Sequence, residues 1–188
     1  MKRIAFVFFF ISWALLAPGT ASAYEHQHHL GVEGGVAFIG IDQKPTLSVG
    51  AGGGIHYTYG LSDAFNLLVE GAFCAVALQE DPEPKHNRPT MIENLGVGVA
   101  YTLDVVRWQP YFGILASGFT LHGGSIDGVR PIAGATLAVG LDYEVTRGPK
   151  HFSVGIAWRW HLLISDLADY PLPFYNQIFL RAEYVWGF

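Results

Sequence analysis

Cysteine occurs once in this sequence, at Cys74, so no internal disulfide is available and the fold must be held by packing and hydrogen bonding. Charge is scarce, at 14% of residues, and the eleven basic side chains form no stripe or cluster. That argues against nucleic acid as a partner, and the low charge argues against disorder. Long apolar runs are missing after the first few residues: the longest uncharged stretches, such as "PTLSVGAGGGIHYTYGLS", mix glycine and polar groups and alternate. No segment there reads as a transmembrane helix.

What is abundant is glycine, 23 residues, alongside 51% hydrophobic and 14% aromatic content. This mixture points to many strands joined by turns. At the N-terminus, Lys2 and Arg3, an almost purely apolar run over 4–16 and Ala21-Ser22-Ala23 have the form of a cleavable export signal. Residues 1–23 are thus expected to be a signal peptide and 24–188 one mature domain. Without Lys2 and Arg3, nine basic side chains face sixteen acidic ones, a charge of −7. No cysteine follows the cleavage region, so no lipid-anchoring signal is expected.

Glycine, proline and aspartate clusters divide the mature chain into eight alternating runs, 30–40, 47–59, 65–78, 92–105, 109–120, 131–145, 151–163 and 175–188. Each matches or exceeds the ~9–11 tilted residues that cross a bilayer, against about 5–6 in soluble strands. Connections after the second, fourth and sixth runs are tight ("GLSDA", "VRW", "TRGPK"). Those after the third, fifth and seventh are longer ("QEDPEPKHNRPT", "LHGGSIDGVR", "ISDLADYPLPF"). Short turns at one end and longer loops at the other are the habit of membrane barrels, with both chain ends then periplasmic.

Side-chain parity decides the orientation. Phe152, Val154, Ile156, Trp158 and Trp160 share one face against Ser153, Gly155, Ala157, Arg159 and His161. The second and third runs repeat this contrast. In a soluble barrel the apolar face would line the centre and the charged face would meet water. Here the inner candidates include many glycines, which would leave a soluble core unfilled, while the other face carries large rings near strand ends. The apolar face is therefore read as outward. Tyr57, Tyr59, Phe65, Tyr101, Tyr143, Trp186 and Phe188 would form a periplasmic girdle, and Phe38, Phe119, Trp158 and Trp160 would lie toward the outer one.

The fold class expected is all-β, an eight-stranded antiparallel up-and-down transmembrane barrel. The pattern resembles the small outer membrane barrels of Gram-negative bacteria, of the OmpA/OmpX type, over about Leu30 to Phe188. The final run carries the most specific likeness: Tyr184, Trp186 and Phe188 at alternate positions are similar to the signal read by the barrel assembly machinery. "YGLSDAFNLLVEG" is a weaker marker. The resemblance implies an outer membrane location among outer membrane lipids and insertion by that machinery; unlike OmpA, a barrel alone is expected, with no peptidoglycan-binding domain after Phe188.

Within the runs, Glu33, Glu70, Asp142, Glu144, Arg159, Arg181 and Glu183 fall on the inner parity. Glu70, Arg159, Arg181 and Glu183 are expected at middle height, and Glu33, Asp142 and Glu144 lower. A slip of one residue would turn these charges into lipid, which fixes the register. They are read first as a packed lumen network. The second reading is a cation-leaning path, with Gly50, Gly52, Gly54, Gly96, Gly98, Gly134, Gly140 and Gly155 leaving room for water.

His26, His28 and His29 could bind a transition metal, but are read as a polar leader, so no metal or other cofactor is expected. His56, His161 and Glu70 share the inner parity and could form an acid-base pair. No His-x-Ser-Asn pattern and no Ser, His and acid trio on the lipid face was found, so no catalytic residue is assigned. The function expected is structural or interactive, through outer loops whose ligand the sequence does not name. A narrow channel and a lipid-modifying enzyme are the alternatives.

Overall fold

The computed structural model describes residues 25–40, 47–77, 89–124, 126–164 and 174–187. It contains β1 (His28–Gly40), β2 (Leu47–Gly60), β3 (Phe65–Ala77), β4 (Met91–Thr102), β5 (Trp108–Gly123), β6 (Ile126–Glu144), β7 (His151–Ile164) and β8 (Phe174–Trp186). All neighbours are antiparallel, and β1 pairs with both β2 and β8, which closes the barrel. Closure matters because it leaves no strand edge unpaired around the wall.

Paired residues can be followed once round the wall from Pro131 through Thr120, Glu93, Phe73, Gly53, Gly34, Leu180 and Ile156. The path returns to β6 at Leu141, ten residues from its start. With a rise of about 3.3 Å per residue and strands about 4.8 Å apart, that shear sets a tilt of about 40° and a backbone radius of about 8 Å. Long side chains from opposite strands can then meet across the lumen.

Burial alternates along the strands. On β7, Phe152, Val154, Ile156, Trp158 and Trp160 are exposed, whereas Ser153, Ala157, Arg159 and His161 are buried. Leu180 is 70% exposed, Leu95 67%, and Val32 and Ile55 62% each. An apolar surface of this extent, running round the whole wall, suits hydrocarbon and not water. At the turn end of the barrel, rings meet along the outer wall: Phe65 with Tyr101, Trp108 with Tyr143, Phe152 with Tyr184, and Tyr184 with Trp186.

Four sequence expectations change. "LHGGSIDGVR" is not a long loop: β5 and β6 continue as a hairpin, with a register shift at His122/Gly123 and left-handed φ of 74° and 65° at Gly123 and Gly124. Glycine permits that backbone, and the same glycines made the stretch read as loop. Phe119 points inward, 2% exposed, because β5 is apolar on both parities and Tyr111, Leu115 and Phe119 form its inner set. The turn after β4 spans 103–107, where Val106 takes φ of 66°. His28 and His29 are no leader but open β1, held by pairing to Trp186 and Val185. Residues 1–23, most of the loops "QEDPEPKHNRPT" and "ISDLADYPLPF", and Phe188 lie outside the described residues.

Candidate functional site

Two places gather polar chemistry: the lumen, and the outer wall near its loop end. In the lumen, Arg159 projects from β7, 1% exposed. Its Nε donates to Glu70 Oε2 on β3 at 2.6 Å, and its Nη2 donates to Glu33 Oε2 on β1 at 2.7 Å. Strands β7 and β3 stand on opposite sides of the ring, so this guanidinium bridges the lumen. The Phe179 ring lies 5.6 Å from its centre, a cation–π contact that adds to the hold.

Arg181 on β8 makes a second centre. It contacts Glu183, donates to the Tyr111 hydroxyl, approaches Asp142 Oδ1 at 3.4 Å and lies 4.9 Å from the Tyr111 ring. His56 on β2 joins the two centres. Its Nε2 is 2.7 Å from Glu183 Oε1 and its Nδ1 is 3.4 Å from Glu33 Oε2. Glu183 also receives the Ser153 hydroxyl at 3.3 Å and lies 3.3 Å from His29 Nδ1.

Glu33 therefore sits at mid-lumen on Arg159, higher than expected, and Glu183 reaches toward the turn end. Glu144 stands apart at the mouth, where Gln109 Nε2 donates to it at 2.7 Å and His151 Nε2 is 3.9 Å away. His56 does not pair with Glu70, although the two are opposite in register: its ring lies between Glu33 and Glu183, while Arg159 takes Glu70 Oε2. His161 lies in a different layer, its Nδ1 2.8 Å from Thr136 Oγ1, which meets Ser117 Oγ at 2.7 Å, while its ring stacks on Tyr175 at 4.6 Å. Tyr111 and His29 were the members that parity reading missed.

Above these layers the interior becomes apolar, with Ile39, Val76, Ile92, Leu121, Ile132 and Leu163 all buried. Cys74 belongs to this plug and receives the Gln177 amide at 3.3 Å. One lumen cavity, at the turn end and lined by His29, Asn66, Tyr111, Asp142, Arg181 and Glu183, is ≈30 Å³, room for about one water. Glycines of the inner face do not leave open space. A Cβ on Gly140 would meet the Tyr111 ring, and one on Gly155 would meet Asp142 and the Leu141 carbonyl. Missing side chains let large neighbours lie flat against the wall.

The outer wall holds a feature that sequence reading did not find. Glu93 and Thr120 are paired across β4 and β5, with His122 two residues on, all outward. Thr120 Oγ1 donates to Glu93 Oε2 at 2.7 Å, and His122 Nε2 is 3.6 Å from Glu93 Oε1. Below them on β4 come Leu95, Val97 and Val99, all exposed, which puts the trio at the upper border of the apolar band.

Fold and wall together define the class: a small eight-stranded antiparallel barrel with the architecture of outer membrane barrel proteins. Among solved structures the chain is similar to the N-terminal barrel domain of OprF from Pseudomonas aeruginosa, at 10% identity over 86% of this chain and 98% of that one, TM-score 0.58. It is similar to Neisserial surface protein A at 14% identity over 87% and 100%, TM-score 0.56. Ail, the attachment invasion locus protein of Yersinia pestis, is 11% identical over 86% and 99%, TM-score 0.55. At such identities the likeness is one of fold. No protein-family model and no curated protein matches the sequence.

Proposed function

We propose that this chain is an outer membrane protein that works as a closed scaffold, presenting its loop end for surface interaction and neither conducting solutes nor carrying out catalysis. The observation that carries the reading is the filled interior among the described residues: two arginine centres bridging the lumen beneath an apolar plug, with a cavity of ≈30 Å³ beside Arg181. The hairpin of β5 and β6 supports a presenting role, since β6 extends seven residues beyond the first one paired to β7, Ala133. The name of Ail, a similar fold, refers to attachment and invasion. Outer membrane lipids would surround the apolar wall. The assembly machinery would read Tyr184, Trp186 and Phe188, of which Tyr184 and Trp186 stack at 5.8 Å on the outer face.

Planar-bilayer recording tests the reading. The expected result is no steady conductance from the folded protein. Regular openings that change with Glu70→Gln or Arg159→Met would replace the scaffold by a channel. Fractionation adds the location: the mature chain should sediment with outer membranes, and recovery from the soluble periplasm would contradict it.

A further inference from the structure

The Glu93, Thr120 and His122 trio stands at the edge of a groove of ≈560 Å³ on the outer wall, lined by Glu93, Leu95, Gly118, Thr120, Pro131 and Ala133. Its floor is small and apolar: a Cβ built on Gly118 finds no atom within 4 Å. Elsewhere on this wall bulky side chains fill the corresponding positions, among them Ile114 and Phe112 lower on the same strand. A shallow apolar trough with an acid at its upper end is out of place on a surface whose only task is to dissolve in hydrocarbon. At the upper border of the apolar band a carboxylate on the lipid face costs little, so an acid can be kept there to meet a headgroup while the trough below takes an acyl chain.

The order of the groups decides what they can do. To activate a hydroxyl, the imidazole must stand between it and the acid. Here the carboxylate stands between hydroxyl and imidazole, so the arrangement binds. Thr120 occupies Glu93 Oε2, while Oε1 faces His122 at 3.6 Å, beyond hydrogen-bond length. Glu93 and His122 side chains are 54% and 32% exposed, so Oε1, held only loosely by His122, is accessible to a donor arriving from the membrane that displaces it.

We propose that this groove is a lipid-binding site selective for a headgroup with a primary ammonium, the N–H of which donates to Glu93 Oε1 while an acyl chain lies on Leu95, Gly118 and Ala133. Charge complementarity chooses the occupant: a carboxylate repels an anionic head and accepts from an ammonium. The inference uses the outward orientation of the wall and is independent of what the loops contact.

The test is native mass spectrometry of the folded, detergent-released protein with phosphatidylethanolamine, phosphatidylglycerol or phosphatidylcholine added singly. The ethanolamine lipid should be retained about tenfold over both others, the worth of one charge-assisted hydrogen bond. Phosphatidylcholine carries a cation without an N–H, so it separates hydrogen bonding from charge alone. Glu93→Leu, which removes both the charge and the acceptor oxygen, should bring the three lipids to parity. Gly118→Leu, which has space for its side chain, should lose the ethanolamine adduct while keeping heat-modifiable gel mobility. Ala133→Leu is the second groove variant should Gly118→Leu not fold. Equal retention of all three lipids by the parent, or undiminished retention in the filled groove, would overturn the site. Neither result would touch the conductance test of the closed lumen.

Discussion

Arg159 is the residue on which the interior turns. Its guanidinium joins carboxylates from β1 and β3 to β7, so removing it strands two buried acids at once. Arg159→Met should destabilise the barrel by about 3–5 kcal/mol, as for single breaks of buried ion pairs. Urea unfolding in lipid vesicles would measure this. The triple exchange Arg159→Met, Glu33→Gln, Glu70→Gln should recover part of the loss, because the unpaired charges are then gone. Gly140 argues the same tightness from the other side: Gly140→Val must displace the Tyr111 ring and should cost about 1–3 kcal/mol. At the turn end, burial and then the nearby Glu144 raise the Asp104 carboxyl above its ordinary range. A raised acid holds its proton more tightly when folded, so its contribution favours folding at low pH and is lost as pH rises through the carboxyl range. Asp104→Asn should therefore increase resistance to urea at neutral pH and leave it unchanged near pH 3.

The turn between β4 and β5 shows where an element carries strain. Val106, a β-branched residue, takes φ of 66° within a tight reversal closed by Val105 and Trp108, a conformation that costs about 1–2 kcal/mol outside glycine. Val106→Gly should raise stability by up to about 1 kcal/mol, read as a higher urea midpoint at unchanged slope. At the opposite end, β6 leaves β7 behind at Ala133, and Pro131 and Arg130 occupy the stretch just beyond. Proline and charge blunt an edge against pairing with other chains. The strands themselves were legible because period-two alternation survives wherever one face is polar, as on β7. It failed on β5, where both parities are apolar and Phe119 was turned the wrong way. The hairpin tip was missed because glycine marks both loops and tight turns.

For the whole molecule, parity tells which face a charge occupies but not which partner it reaches. Arg159 meets Glu70 from the far side of the ring because a shear of ten and eight strands make the lumen narrow enough for two inward side chains to span it. That closure is a property of the full register, which no single run contains. His56 entered the network the same way: its inner parity was visible, its place between Glu33 and Glu183 was not. The outer trio was hidden because Glu93 and Thr120 are neighbours only through β4–β5 pairing.

The central claim is that rings and aliphatics face hydrocarbon while carboxylates and guanidiniums face a filled centre. Spin labels placed singly along β7 in bilayers, on a Cys74→Ala background, test it most directly. Labels at Val154, Ile156, Trp158 and Trp160 should collide freely with oxygen dissolved in lipid, and labels at Ser153 and Ala157 should be shielded from it. Protection of the first set, with the second open to the bilayer, would contradict the account.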